Sequence, residues 1–106
     1  VRDDEPSHLL APDAAAPDGV VDAGDRPSAE RVRALVGEGR PVLVRCRPRP
    51  DPAADAAETV ALVAVYAWLG VRYFATGHPR QVRQALDMVA SVQGHRPPAV
   101  ARRGLA

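Results

Sequence analysis

Apolar positions along this chain fall in short unbroken runs, each followed by a stretch in which they recur every three or four residues. The alternation repeats three times. The first run lies in GVVDAG at 19–24, where two β-branched residues precede an aspartate and a glycine, the signature of a short buried strand that ends in a loop. Ser28 then offers a helix cap, and Ala29, Val32, Leu35 and Val36 share one helical face up to Gly37 and Gly39. The second run, Val42-Leu43-Val44 in GRPVLVRC, is of the continuous kind found in parallel sheets, and it enters the proline-rich loop RPRPDP. Asp51 as cap and Pro52 at the first helical position open a helix over 52–69 that stops at Gly70. The third run, Val71 to Ala75, leads through Thr76, Gly77 and His78 into a helix opened by Pro79, with His78 expected to cap it. Along that helix Val82, Leu86, Val89 and Val92 form the apolar face, Arg80, Arg83, Gln84 and Asp87 look outward, and Gly94 is the stop.

Strand followed by helix, three times over, predicts an α/β fold with right-handed crossovers and a parallel sheet. Three strands are too few to close a ring. The expected architecture is a partial (β/α) barrel, three consecutive βα units with a parallel three-stranded sheet completed by dimerisation. Residues 1–18 read as an acidic, Pro/Ala-rich flexible arm, 19–94 as the three units, and 95–106 as a basic C-terminal tail. The middle helix departs from the surface pattern. From Val60 to Val71 the sequence VALVAVYAWLGV carries no charge, and apolar residues occupy nearly every face, so that helix must be covered on two sides. One side packs on the sheet. The other is expected to pack on a second chain, through Val60, Ala64, Val65, Trp68 and Leu69, with Val82, Leu86 and Val89 of the last helix beside them.

Composition changes this picture in three places. All fourteen basic residues are arginine, and the net charge of +1 conceals an asymmetry: residues 1–30 hold eight acids against two arginines, and 31–106 five acids against twelve arginines. An acidic arm lying on a basic body is one outcome, and a solvated tail the other. Cys46 stands alone, which excludes an intrachain disulfide and suits a reducing, cytoplasmic compartment. The uncharged run is too short to cross a bilayer, so no membrane role is expected. Nucleic-acid binding is disfavoured by the slight net charge and the scarcity of aromatics for stacking.

From Tyr66 to Ala106 the sequence YAWLGVRYFATGHPRQVRQALDMVASVQGHRPPAVARRGLA resembles the C-terminal part of dihydropteroate synthase, especially its actinobacterial forms, most specifically in ALDMVAS and GHRPPAVARRGLA. Weaker similarity runs back through PVLVRCRPR to VVDAG. About 85 residues thus resemble the sixth, seventh and eighth βα units of that family's (β/α)8 barrel, and the first five units have no counterpart here. The resemblance implies that the last helices form a dimer interface and that ligand groups come from the carboxyl ends of the strands. Asp22-Ala23-Gly24 falls at the family's Asp-Pro-Gly, without the Phe-x-Lys that follows it there. Arg47-Pro48-Arg49 falls at Ser-Arg-Lys, which puts Arg49 in the place of a substrate-binding lysine. A gapless count from ALDMV puts Ala75 and Gly77 at the arginine and histidine of the anion-holding Arg-x-His, so both are lost.

Joining a pterin diphosphate to p-aminobenzoate requires cations and donors where charge develops on the leaving diphosphate. With those groups and five strands lost, no dihydropteroate synthase activity is expected of this chain alone, and no cofactor or metal. The expected role is non-catalytic and associative, as a homodimer or as a regulatory or scaffolding partner of a full-length dihydropteroate synthase relative. One alternative is a small-molecule binder with a remnant pterin or phosphate site around Asp22, Arg47 and Arg49, since arginine forks suit phosphate. Another is a half-enzyme completed by a separate N-terminal chain. Cys46 has arginine neighbours but no histidine near in sequence to act as a base, and His8 and His95 have no partners at metal-ligand spacing. Tyr66, Trp68, Tyr73 and Phe74 read as core or interface residues.

Overall fold

The computed structural model describes residues 6–94. The expected basic tail at 95–106, with His95, and the first five residues of the arm lie outside the described residues. Strand β1 (His8–Leu10) is followed by three strand–helix units: β2 (Val21–Asp25) and α1 (Ala29–Gly37), β3 (Val42–Cys46) and α2 (Pro52–Trp68), β4 (Tyr73–Thr76) and α3 (Pro79–Val92). The order across the sheet is β1-β4-β3-β2, and every pairing is parallel. The arrangement is an α/β arc of consecutive βα units, with one strand more than the sequence pattern predicts. That strand comes from the stretch expected to be a loose arm. His8, Leu9 and Leu10 pair with Tyr73, Phe74 and Ala75, so three residues within a polar, proline-rich segment complete the sheet from inside the chain. Three residues are too few to show a period, which is why the pattern alone misses them.

Local chemistry explains the remaining boundaries. Ser28 Oγ accepts from the Arg31 amide at the start of α1, and Asp51 accepts from the amides of Ala53 and Ala54 at the start of α2. Gly70 ends α2 at φ +110°, and a Cβ there would stand 3.0 Å from Val36 Cγ1, so α1 and the end of α2 meet at a point only glycine allows.

Alternation divides the sheet into two unlike faces. Leu9, Val42, Val44, Cys46 and Phe74 join the core under the helices, together with Val32, Val63, Tyr66, Ala67, Val71, Val82 and Leu86. His8, Leu10, Asp22, Leu43, Arg45, Tyr73 and Ala75 belong to the opposite face, which none of these three helices covers. Leu43 and Ala75 are nonetheless buried. The topology supplies the cover. The units β2, β3 and β4 step across the sheet in one direction with their helices on one face, so the connection from β1 back to β2, stepping the other way with the same handedness, crosses the other face. Arg45 Nη1 donates to the Pro12 carbonyl at 3.0 Å, which places the start of that connection there.

Candidate functional site

The carboxyl ends of parallel strands are where α/β folds gather ligand groups, and here they gather charge. β2 ends in a bulge between Asp22 and Asp25, with Gly24 at φ +86° and Arg26, a non-glycine residue, at φ +45°. This bend turns the Arg26 side chain inward. Its guanidinium reaches Asp25 at 3.0 Å, Asp55 of α2 at 3.0 Å and Glu58 at 2.8 Å. Asp55 is buried, and its second oxygen lies 2.7 Å from His78 Nε2. One carboxylate near the start of α2 therefore ties the β2–α1 loop to the start of α3. The His78 hydrogen bond holds the Asp55 carboxyl below its usual range against the opposing cost of burial. For Arg26 burial works against the charge, but Asp25 and Glu58 outweigh it and its pKa is raised.

On the helix-free side Arg45, itself buried, grips Asp22 through Nε and Nη2, the shortest contact being 2.8 Å. That fork lowers the pKa of Asp22 despite desolvation, with help from the Gly24 amide and the nearby Arg47. Of the three expected ligand residues, the fold thus brings Asp22 and Arg47 to one side. Arg47 pairs with Asp13 at 3.3 Å, whereas Arg49 turns toward Glu58 at 3.7 Å. Of the acidic arm, Asp13 meets the basic body through its exposed pair with Arg47. Arg47 and Arg49 are both about half exposed and engage their carboxylates through Nε.

Other readings are corrected by the packing. His78 occupies the cap position of α3 without a side-chain capping bond, because its ring is committed to Asp55. Val82 and Leu86, expected at an interface with another chain, are buried in this chain's own core under α3 and are not available to one. Burial pushes the Cys46 thiol up to about 11, so it is a poor nucleophile. Tyr66 donates its hydroxyl to the Pro27 carbonyl at 2.6 Å, and burial raises it to about 12. His8 stacks on Tyr73 with ring centroids 4.6 Å apart. Among the described residues no group of three His, Cys, Asp or Glu is placed to hold a metal, and no helix is long and apolar enough to cross a membrane. The Arg26–Asp55–His78 network escaped the sequence reading because its members stand 29 and 23 residues apart. The one available signal was Asp55 and Glu58 among the alanines of a helix otherwise free of charge.

A second candidate lies at the other end of α2. Val65 is 52% exposed and Trp68 56%, and on α3 Met88 is 64% and Val92 67% exposed. All four line one groove of about 420 Å³, with Ala64, Leu69 and Val89 in its wall and Arg33 of α1 as its single charged residue. Val60, Ala64, Leu69 and Val89 are half-buried. Six of the eight expected interface residues thus keep exposed surface, and Met88 and Val92 lie beside them.

No family model matches the chain, and no curated protein matches it. Among solved structures it is similar to that of Mycobacterium tuberculosis Rv1207, with a TM-score of 0.58 and 30% sequence identity over 76% of this chain. The similarity spans 35% of that protein's length.

Proposed function

We propose that this chain is a non-catalytic relative of dihydropteroate synthase that works by association, as a homodimer or docked on a full-length relative through the groove between α2 and α3. The observation that carries this reading is the co-location of Val65, Trp68, Met88 and Val92, four large apolar side chains each more than half exposed, in one groove. Contiguous apolar surface of this kind is characteristic of an interaction site. The family resemblance puts a dimer interface on the same helices. Two features argue against association through the sheet edges: β1 has only three residues, and β2 is bulged and carries Asp22 and Asp25. Short, bulged and charged edges resist strand pairing. The proposed lack of activity rests on the sequence departures above.

Light scattering on the purified chain tests the reading. The expected result is twice the chain mass, with Val65→Arg returning a folded monomer, because an unpaired charge in the groove cannot be buried. An unchanged mass for Val65→Arg, or a wild-type monomer that captures no full-length relative, would overturn it. Steady product formation from a pterin diphosphate and p-aminobenzoate would overturn the non-catalytic part.

A further inference from the structure

We propose that residues 11–20 are a strap that closes the helix-free face of the sheet, and that Arg45 is its latch. A parallel sheet is stable only with both faces covered. Here the three helices cover one face, yet Leu43 is 0% and Ala75 1% exposed on the other. Among the described residues the strap is the element that crosses that side. Its composition suits the task. Pro12, Ala14, Ala16, Pro17 and Val20 are half-buried while Ala11, Asp13, Ala15, Asp18 and Gly19 are exposed, so the strap buries alternate small residues and leaves both of its acids in water. Near its start a Cβ built on Gly77 would lie 3.7 Å from Pro48 and 3.8 Å from Pro12, so the two proline loops close together over the end of β4.

The latch is a buried guanidinium with its donors divided between two jobs. Nε and Nη2 hold Asp22, whereas Nη1 holds the Pro12 carbonyl of the strap at 3.0 Å. The Asp13–Arg47 pair beside it is solvent-exposed and adds little. Latched, the strap lies over the face that would line the interior of a completed barrel or pack on a second sheet. A separately encoded N-terminal half therefore finds the face closed, and partners are left with the helical side. Released, the strap bares Leu43 and Ala75 and creates a second adhesive surface. This device is independent of the α2–α3 groove, since the strap stays latched whether or not the helices dimerise.

Hydrogen exchange followed by mass spectrometry tests it on the full chain. In the wild type the amides of Ala14 and Val20, which donate to the carbonyls of Ala11 and Pro17, should exchange ~tenfold or more slowly than in an unstructured peptide of that sequence. Arg45→Met should return them to the unstructured rate while α2 and α3 keep their protection, and should raise binding of a dye that reports exposed apolar surface. Asp22→Asn, which leaves Nη1 on Pro12, should keep the strap protected. Unstructured exchange of the Ala14 and Val20 amides in the wild type would overturn the proposal even if Arg45→Met failed to fold. So would an Arg45→Met strap as slow as wild type, or an Asp22→Asn strap as fast as an unstructured chain. A groove variant such as Val65→Arg should leave strap exchange unchanged, which separates failure of the latch from failure of the association reading.

Discussion

The two ends of α2 are built on opposite principles. At its start, Asp55 and Glu58 sit in a network where each charge meets an opposite one, and the Asp55 side chain is only 2% exposed. At its finish, Val65 and Trp68 are more than half exposed in the groove they share with α3. Among the described residues the charges at the polar end pair within the chain, and the apolar end keeps exposed surface. That contrast supports the proposed association.

Three measurements sharpen or break that contrast. The largest effect is expected at the polar end. Arg26→Met removes the cation that Asp25, Asp55 and Glu58 share and leaves the buried Asp55 carboxylate with His78 and the Arg49 backbone amide; breaking a buried pair costs about 3 kcal/mol or more. In a domain of this size the thermal midpoint should fall by roughly 10 °C or more. A change of less than a few degrees would show that the network is ornamental. At the apolar end the expectation is inverted. Trp68→Ala should leave the thermal midpoint of the monomer nearly unchanged, because the side chain is mostly in water, and should weaken self-association by about 2 kcal/mol, or roughly 30-fold in the dissociation constant. Sedimentation equilibrium reads the second quantity and calorimetry the first. A large loss of monomer stability with unchanged association would reverse the assignment.

The smallest effect is in acid. The carboxyls of Asp22 and Asp55 both lie below the ordinary aspartate value of 3.8 in the folded protein. A depressed folded pKa means that the unfolded chain binds protons first, so the stabilisation is complete above the unfolded value and drains away as the pH falls through the folded one. Stability should therefore hold down to about pH 4 and decline below it. Asp55→Asn should flatten that decline when thermal midpoints are followed across the acid range. An equally steep decline in the variant would mean that Asp55 is not one of the groups responsible.

The sequence determined what depends on neighbours along the chain. Ser28, Asp51, Pro52, Pro79 and Gly70 marked the ends of the helices, and the runs at Val42 and Val71 marked two strands, because caps, fixed φ angles and apolar periods act over a few residues. The over-apolar end of α2 was equally legible: a helix with too many greasy faces for one sheet announces that surface will be left over. Tertiary structure decided the rest. His8–Leu10 became a strand only because β4 offered it an open edge, and Val82 and Leu86 left the list of interface residues because α3 turns them onto the sheet. Arg26, Asp55 and His78 met because right-handed crossovers bring the ends of successive strands side by side. Arg45 lay within the visible arginine cluster, but its role as a latch needed the Pro12 carbonyl, 33 residues away, to be carried across the sheet. Local codes fix elements; partners distant in sequence are chosen by which faces and ends the sheet brings together.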